Sequence, residues 1–137
     1  MTEEMKSVTH RIEELWNTGN LAIIEEIYSP ALVNHLPYAP DLNDFESCKQ
    51  CVSGVRTGIP DFHVKIEDVI AEGDKMVCRW VASGSHTGSF FGIPPSGNKV
   101  EWTGMTIYRM DSGKIVETWW NEDTMSLMKQ MGVIPEE

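Results

Sequence analysis

Three carboxylates and two tryptophans near the end of the chain mark the segment where chemistry is easiest to place. In a strand over 113–123, alternation groups the side chains into two faces: Ile115, Glu117, Trp119, Asn121 and Asp123, and opposite them Val116, Thr118, Trp120 and Glu122. Because both faces carry a tryptophan, the strand is expected to be covered on both sides. A carboxyl group beside tryptophan there either has a structural partner or is held in a pocket to transfer protons.

Glu117 and Asp123, the two carboxylates on the face of Trp119, are both candidates for an acid/base residue, and the neighbours of Asp123 suggest two possible roles for it. Desolvation beside Trp119 would raise its pKa from about 3.9 toward the range in which a carboxyl group both takes and returns a proton. His35 or Asn34, which follow a short apolar segment, would orient it. Asp123 also directly precedes a predicted helix, so its carboxylate could instead cap that helix. The sequence leaves both roles open.

Amphipathic periodicity predicts three helices in the first half of the chain, over residues 3–18, 21–28 and 44–57. The first carries apolar residues at spacings of three and four, from Met5 to Trp16. Asn20 is the expected cap of the second helix, and Asp41 or Asn43 that of the third.

From Phe62 onward the apolar period changes from helical to alternating. The pattern predicts four strands, which begin at 62 and cover 76–85, 100–110 and 114–122, then a closing helix over 124–131. A long Gly/Pro-rich loop over 87–99 separates the second and third strands. This order predicts an α+β fold of one domain, 1–137, in which a curved antiparallel sheet wraps over three N-terminal helices and leaves one open pocket.

Composition excludes several classes of partner. The formal net charge is −10 with only 11 Lys and Arg, so a nucleic-acid partner is not expected. No apolar run approaches the length of about 20 residues that a membrane span needs, and no basic leader opens the chain. These features predict a cytoplasmic protein without a membrane partner.

The residues that usually hold metals or cofactors are scattered. The four histidines fall on separate predicted elements, and no glycine-rich phosphate or dinucleotide motif occurs. Cys48 and Cys51 have the spacing of a redox pair or half a metal site, but one face of a helix produces the same spacing. We therefore expect neither a metal nor a cofactor.

Several motifs together resemble those of the SnoaL-like polyketide cyclase (ester cyclase) family of the NTF2-like superfamily. They are Gly84-Ser85-His86-Thr87-Gly88, Gly92-Ile93-Pro94-Pro95-Ser96-Gly97 and Gly113-Lys114-Ile115-Val116-Glu117-x-Trp119-x-x-x-Asp123. The resemblance implies a cystatin-like α+β cone, often dimeric through the outer face of its sheet. It also implies cofactor-independent intramolecular aldol chemistry on a small hydrophobic carbonyl compound, with Asp123 at the position of the family's acid/base aspartate and with Asn34 and His35 as pocket side chains.

The predicted substrate-binding residues come from several elements: Trp16, Phe62, Arg79, His86, Trp102, Met105 and Trp119. Each has a structural alternative. Arg79 could pair with Glu67 or Glu117 instead of a substrate carboxylate, and His86 could hold its own loop. If Trp119 lines the pocket, Trp120 points outward and is expected at the interface of a homodimer.

Two other classes of function fit the same residues. A hydrolase or dehydratase would hold a water molecule with side chains such as Asp123, Arg79, Asn121 and Asn34. A non-catalytic protein would bind small apolar molecules in the pocket or serve as a dimerisation module.

Overall fold

A computed structural model describes residues 2–135 of the chain. In this range four helices and five strands follow one another: α1 (Glu3–Thr18), α2 (Ala22–Ile27), β1 (Tyr28–His35), α3 (Phe45–Gly58), β2 (His63–Glu72), β3 (Lys75–Ser85), β4 (Lys99–Asp111), β5 (Lys114–Glu122) and α4 (Thr124–Gln130). None of these helices combines the length and the apolar character needed to cross a membrane. The predicted α+β class is confirmed.

Helix α1 has the ends and the buried face that its sequence predicts. Thr2 accepts a hydrogen bond from the backbone N–H of Met5 at 3.1 Å and so caps the helix. Gly19 ends it with a φ of 73°, a left-handed conformation that glycine adopts without strain. The buried side chains, Met5, Val8, Ile12 and Leu15, form one stripe that packs on the sheet.

The caps of the next two helices differ from the prediction. No side chain caps α2, whose first residue follows Leu21, and Asn20 contributes only its backbone carbonyl to that turn. Helix α3 is capped by Asp44, whose carboxylate accepts the backbone N–H of Ser47 at 2.7 Å. Asp41 and Asn43 were therefore wrong as caps, because the helix begins one residue after the expected start.

The sheet has five strands in the order β1-β5-β4-β3-β2. Strands β2 to β5 pair antiparallel with their neighbours, as the alternating pattern predicts. Strand β1 adds to the edge of β5 in a parallel orientation, with Asn34 beside Thr118 and His35 beside Trp119. This pairing brings the short segment before α3 next to the last strand.

Strand β4 shows which face of the sheet is inside. Its residues alternate between buried and exposed or half-buried positions over the whole length from Lys99 to Asp111. Trp102, Thr106 and Tyr108 point inward with the buried set. Gly104 lies between them, and a side chain there would meet the ring of Trp80 at 2.3 Å. Gly104 therefore lets an indole ring lie flat across the concave face.

The interior contains two clusters of buried side chains. One joins α1 and α2 to β1 and to the hairpin end of the sheet. The other joins the end of α3 to Trp80, Trp102 and the closing helix α4. Side chains of both clusters line a cavity between the helices and the concave face of the sheet.

Candidate active site

A bulge in β5 decides which of its side chains reach the interior. Arg109 pairs with Glu117 and Met110 pairs with Ile115, so Val116 is an extra residue between the two pairs. Ile115 and Thr118 are consequently both fully buried. Beyond the bulge, Trp120 and Glu122 face the cavity.

The expected orientation of the two tryptophans is therefore wrong. Trp120 lines the cavity, and Trp119 lies on the outer face, stacked on His35 with ring centroids 5.5 Å apart. Strict alternation from the buried Ile115 would place Trp119 inside. The bulge at Val116 shifts the alternation by one residue, so the residues after it change faces.

The cavity is partly open to solvent, leaves about 80 Å³ for the centres of water-sized spheres, and has mostly apolar walls. Its aromatic side chains come from every layer of the fold: Trp16, Tyr28, Tyr38, Phe62, Trp80, Phe90, Trp102, Tyr108 and Trp120. Several of these rings contact each other edge-on or tilted, for example Trp16 with Phe62 at 5.8 Å and with Trp120 at 6.0 Å between centroids. Such walls suit a small, flat, hydrophobic molecule.

Glu122 is the one side chain with a carboxyl group among the residues that line this cavity in the described part of the chain. Burial raises its pKa from the ordinary 4.5 to about 7. The indole of Trp102 acts in the opposite direction but does not offset the loss of solvation. A carboxyl group in this state is divided between acid and base near neutral pH, which is the property that proton transfer requires.

Side chains around Glu122 share its environment. Burial raises the pKa of the Cys51 thiol to about 12, with Cys48 and Glu122 adding to the effect, so Cys51 is a neutral thiol. Partial desolvation also raises the pKa of the Tyr38 phenol, although its side chain is 55% exposed, and the charge of Glu122 contributes. Tyr38 and Cys51 therefore flank the carboxyl group as neutral side chains.

A chain of hydrogen bonds links β1, β5 and α3 at the cavity wall. The indole N–H of Trp120 donates to Thr118 Oγ1 at 3.0 Å, and the Thr118 hydroxyl donates to Asn34 Oδ1. Asn34 Nδ2 in turn lies 3.0 Å from Cys48 Sγ. These contacts hold Trp120 and Asn34 in fixed orientations beside the cavity.

Four residues predicted to bind substrate or act in catalysis meet in the cavity: Asn34, Trp16, Phe62 and Trp102. They come from β1, α1, the turn before β2, and β4. The sequence could indicate Trp16, Phe62 and Trp102 as interior residues from their apolar and periodic context, whereas the family resemblance indicated Asn34. Their common position depends on the pairing of β1 with β5 and on the curvature of the sheet.

Asp123 and His35 lie outside the cavity. Asp123 is exposed and accepts the backbone N–H of Ser126 at 3.0 Å, so it is the N-cap of α4. His35 lies between Glu117, at 2.7 Å, and Asp41, at 3.2 Å. The structure supports the capping alternative for Asp123 and brings neither His35 nor Asn34 into contact with it.

Arg79 and Met105 occupy the outer face of the sheet. Arg79 is paired with Asp68 at 2.6 Å, not with the expected Glu67 or Glu117. Glu117 pairs with Arg109 at 3.1 Å. Met105 is 54% exposed, because an odd spacing from Trp102 places it on the opposite face of β4. A substrate in the cavity contacts neither residue.

His86 is fully buried beneath the loop that follows β3. Its Nδ1 accepts a hydrogen bond from the Ser96 hydroxyl at 2.9 Å, and its backbone groups bond Asn98 and Gly97. His86 is not among the cavity-lining residues. The contacts favour the loop-holding role, which the sequence offered as the alternative to substrate binding.

Sequence reasoning missed Glu122 as a site residue. The available signal was its two-residue spacing from Trp120, which puts both on one face of β5. The prediction placed Trp119 and Asp123 in the pocket, whereas the bulge at Val116 turns the opposite side of the strand, with Trp120 and Glu122, toward the cavity. Within residues 2–135, no group of three His, Cys, Asp or Glu side chains is arranged to hold a metal ion.

Comparisons with known proteins agree with this architecture. The model of the SnoaL-like polyketide cyclase family matches residues 6–131. A comparison with curated proteins finds no match.

Three solved structures from Streptomyces illustrate the likeness. TsrD of Streptomyces laurentii is 21% identical with a TM-score of 0.88, covering 98% of this chain and 99% of that one. AclR of Streptomyces galilaeus, a proposed hydroxylase, is 25% identical with a TM-score of 0.87, covering 100% and 86%. IdmH of Streptomyces antibioticus, a proposed polyketide cyclase, is 28% identical with a TM-score of 0.80, covering 96% and 100%.

Proposed function

Because the chain belongs to the SnoaL-like polyketide cyclase family, we propose that it catalyses a cyclase-type proton transfer on a small hydrophobic carbonyl compound, with Glu122 as the acid/base residue. Glu122 takes the place that the sequence suggested for Asp123. The proposal rests on one observation above the others, namely the position of Glu122, the one carboxyl side chain of residues 2–135 that lines the cavity, with a pKa of about 7 and walls of aromatic rings around it.

Glu122 suits both halves of an aldol ring closure. As a carboxylate it removes a proton from the carbon next to a carbonyl group, and the electron pair of that C–H bond passes into the enolate. The enolate carbon then attacks a second carbonyl group of the same molecule. The protonated Glu122 returns its proton to the alkoxide that results, so the residue ends in its starting state.

The walls of the cavity supply the rest of the catalysis. Rings such as Trp80 and Trp120 restrict a flexible substrate to folded conformations in which the two reacting carbons are close. Their indole N–H groups are fixed on Thr106 and Thr118 at 3.0 Å. The substrate therefore meets a rigid surface, and little reorganisation is needed during the reaction.

A second candidate is binding of a small apolar molecule without turnover. The apolar walls of the cavity favour it, since they explain affinity without any proton transfer. The hydrolase alternative has less support, because Arg79, Asn121 and Asp123 do not line the cavity. A hydroxylase, as AclR is proposed to be, would also need an external oxidant.

Exchange of deuterium into 2-tetralone, an aromatic ketone with acidic C–H bonds, tests the proposal. The wild-type protein in D₂O is expected to accelerate the exchange, followed by proton NMR, over the protein-free rate. Glu122→Gln keeps the shape of the side chain and removes the base, so it should slow exchange by about 100-fold or more. Asp123→Asn, the matched control at the neighbouring carboxylate, should keep the wild-type rate. An unaccelerated wild-type reaction would favour the binding role.

A further inference from the structure

The indole N–H of Trp102 is a buried hydrogen-bond donor without a partner among the described residues. The side chain is only 5% exposed and lines the cavity. Buried polar groups are almost always paired in folded proteins, since an unpaired donor loses its bonds to water and gains nothing in return. Among the buried side-chain atoms of the described residues, His86 Nε2 is the other exception, and of the two only Trp102 lines the cavity.

The other inward tryptophans of the sheet do not share this feature. Trp80 donates its N–H to Thr106 Oγ1, and Trp120 donates to Thr118 Oγ1, each at 3.0 Å. Both rings line the same cavity. Trp102 alone of these three presents an unused donor there.

Glu122 is the neighbour whose pKa this N–H group affects. The Trp102 indole lowers the pKa of the Glu122 carboxyl group, although burial outweighs it. The two groups nevertheless do not form a hydrogen bond of ordinary geometry. The N–H therefore lies close enough to the Glu122 carboxyl group to lower its pKa, but without the geometry of a full hydrogen bond, so an acceptor on a bound molecule can still take it.

We propose that Trp102 Nε1–H donates a hydrogen bond to the carbonyl oxygen of the bound molecule, whose acidic C–H group faces Glu122. This inference rests on the proposed function and adds to it the group that stabilises the enolate. When Glu122 removes the proton, negative charge develops on the oxygen, and a donor already aimed at that point strengthens its bond as the charge grows.

The same geometry narrows the substrate class. The residues that line the cavity include no Lys or Arg, and all of them lie within the described range. A substrate carboxylate or phosphate would be buried beside Glu122 without a countercharge, at a large cost in solvation. The ligand is therefore uncharged, and the proposed contact requires a carbonyl group with an enolisable C–H group adjacent to it.

A matched pair of ligands isolates the N–H contact. 2-Tetralone and tetralin share one bicyclic frame and differ by the ketone oxygen. Titration calorimetry gives both dissociation constants for the wild-type protein, for Trp102→Phe and for Trp80→Phe. We expect the wild type to prefer the ketone, and Trp102→Phe to weaken ketone binding about 5-fold to 10-fold relative to tetralin. Trp80→Phe should change the two affinities by similar factors, because its N–H is already engaged.

A second substitution covers the case in which Trp102→Phe does not fold. The sulfur analogue of tryptophan, benzothienylalanine, keeps the shape of the ring at position 102 and lacks the N–H. It should remove the same ketone preference. If the wild type does not prefer the ketone, or if loss of the N–H changes both ligands by an equal factor, the inference is wrong.

Exchange measurements separate this inference from the proposed function. If Glu122→Gln abolishes exchange while Trp102→Phe leaves the ketone preference intact, the acid/base role stands and the N–H contact is wrong. If the wild type prefers the ketone through Trp102 but shows no exchange, the contact stands and the catalytic proposal fails.

Discussion

Glu122 and Asp123 are consecutive carboxylates with different environments: the first lines the aromatic cavity, and the second is exposed and bonded to the backbone of Ser126 at 3.0 Å. The transition from β5 to α4 produces this difference, since Glu122 is the last residue of the strand and Asp123 is the cap of the helix. The two residues consequently have separable roles.

Asp123 is expected to affect stability and not chemistry. Asp123→Asn keeps an oxygen that can accept the Ser126 N–H, so its melting temperature should match the wild type. Asp123→Ala removes the cap and should lower the free energy of unfolding by about 1 kcal/mol, or the melting temperature by about 4 °C. Thermal unfolding followed by circular dichroism measures both. Equal stability of the alanine variant and the wild type would refute the capping role.

Glu122 should make stability fall as pH rises. Its pKa is about 7 in the folded protein and 4.5 ordinarily, so both states are protonated below 4.5. Between these values the unfolded chain loses its proton first, and the free energy of unfolding decreases until pH passes about 7. Glu122→Gln removes this dependence. The free energy of unfolding of the variant, relative to that of the wild type, should therefore rise by up to about 3 kcal/mol between about pH 5 and about pH 8.

Urea unfolding of both proteins at the two pH values measures this difference. Other titrating groups contribute equally to the wild type and the variant, so they cancel in the comparison. A wild-type minus variant difference that does not change with pH would mean that Glu122 is solvated.

His35 is expected to titrate above its ordinary pKa of 6.5, because Glu117 and then Asp41 stabilise the imidazolium. The contribution of the protonated His35 to the stability of the fold is fully present below pH 6.5. It is lost as the pH rises through the pKa of His35 in the folded protein. Proton NMR of the imidazole should show the raised pKa in the wild type and a lower value in Glu117→Gln. Asp68→Asn, which removes an outer-face carboxylate paired with Arg79, should leave the His35 titration unchanged. An unchanged titration in Glu117→Gln would refute the assignment.

The outer face of the sheet carries an apolar row that suits the expected homodimer. Ile70 pairs with Val77, Val77 with Ile107, and Ile107 with Trp119, so the row crosses four strands. Ile70 is 70% exposed. We predict that wild-type protein is a dimer by light scattering at micromolar concentration and that Ile107→Lys is a folded monomer. A monomeric wild type would contradict this prediction.

Helices α1 and α3 and the four long strands could be predicted because each has a long periodic pattern. Helix α1 buries the side chains of its apolar stripe, and β4 alternates along its whole length. A local hydrophobic pattern does not show which distant segments pair with each other. The parallel pairing of β1 with β5, which places Asn34 beside Thr118, was therefore invisible in the sequence.

The candidate site was harder to predict than the fold, because one inserted residue reverses the faces of a strand. Ile115 is fully buried, and alternation from it places Glu117, Trp119 and Asp123 inside. The extra residue Val116 puts Trp120 and Glu122 there instead. Cross-strand register determines the position of such a bulge, and β5 alone carries no clear sign of it.

The central claim is that Glu122 is the base in the cavity, and the pH dependence of exchange tests it most directly. The rate of deuterium exchange into 2-tetralone, after subtraction of the protein-free rate, should rise through an apparent pKa of about 7 and then level off in the wild type. Asp123→Asn should give the same profile. Glu122→Gln should lose both the rate and the inflection. A Glu122→Gln variant with the wild-type rate and profile would contradict the account.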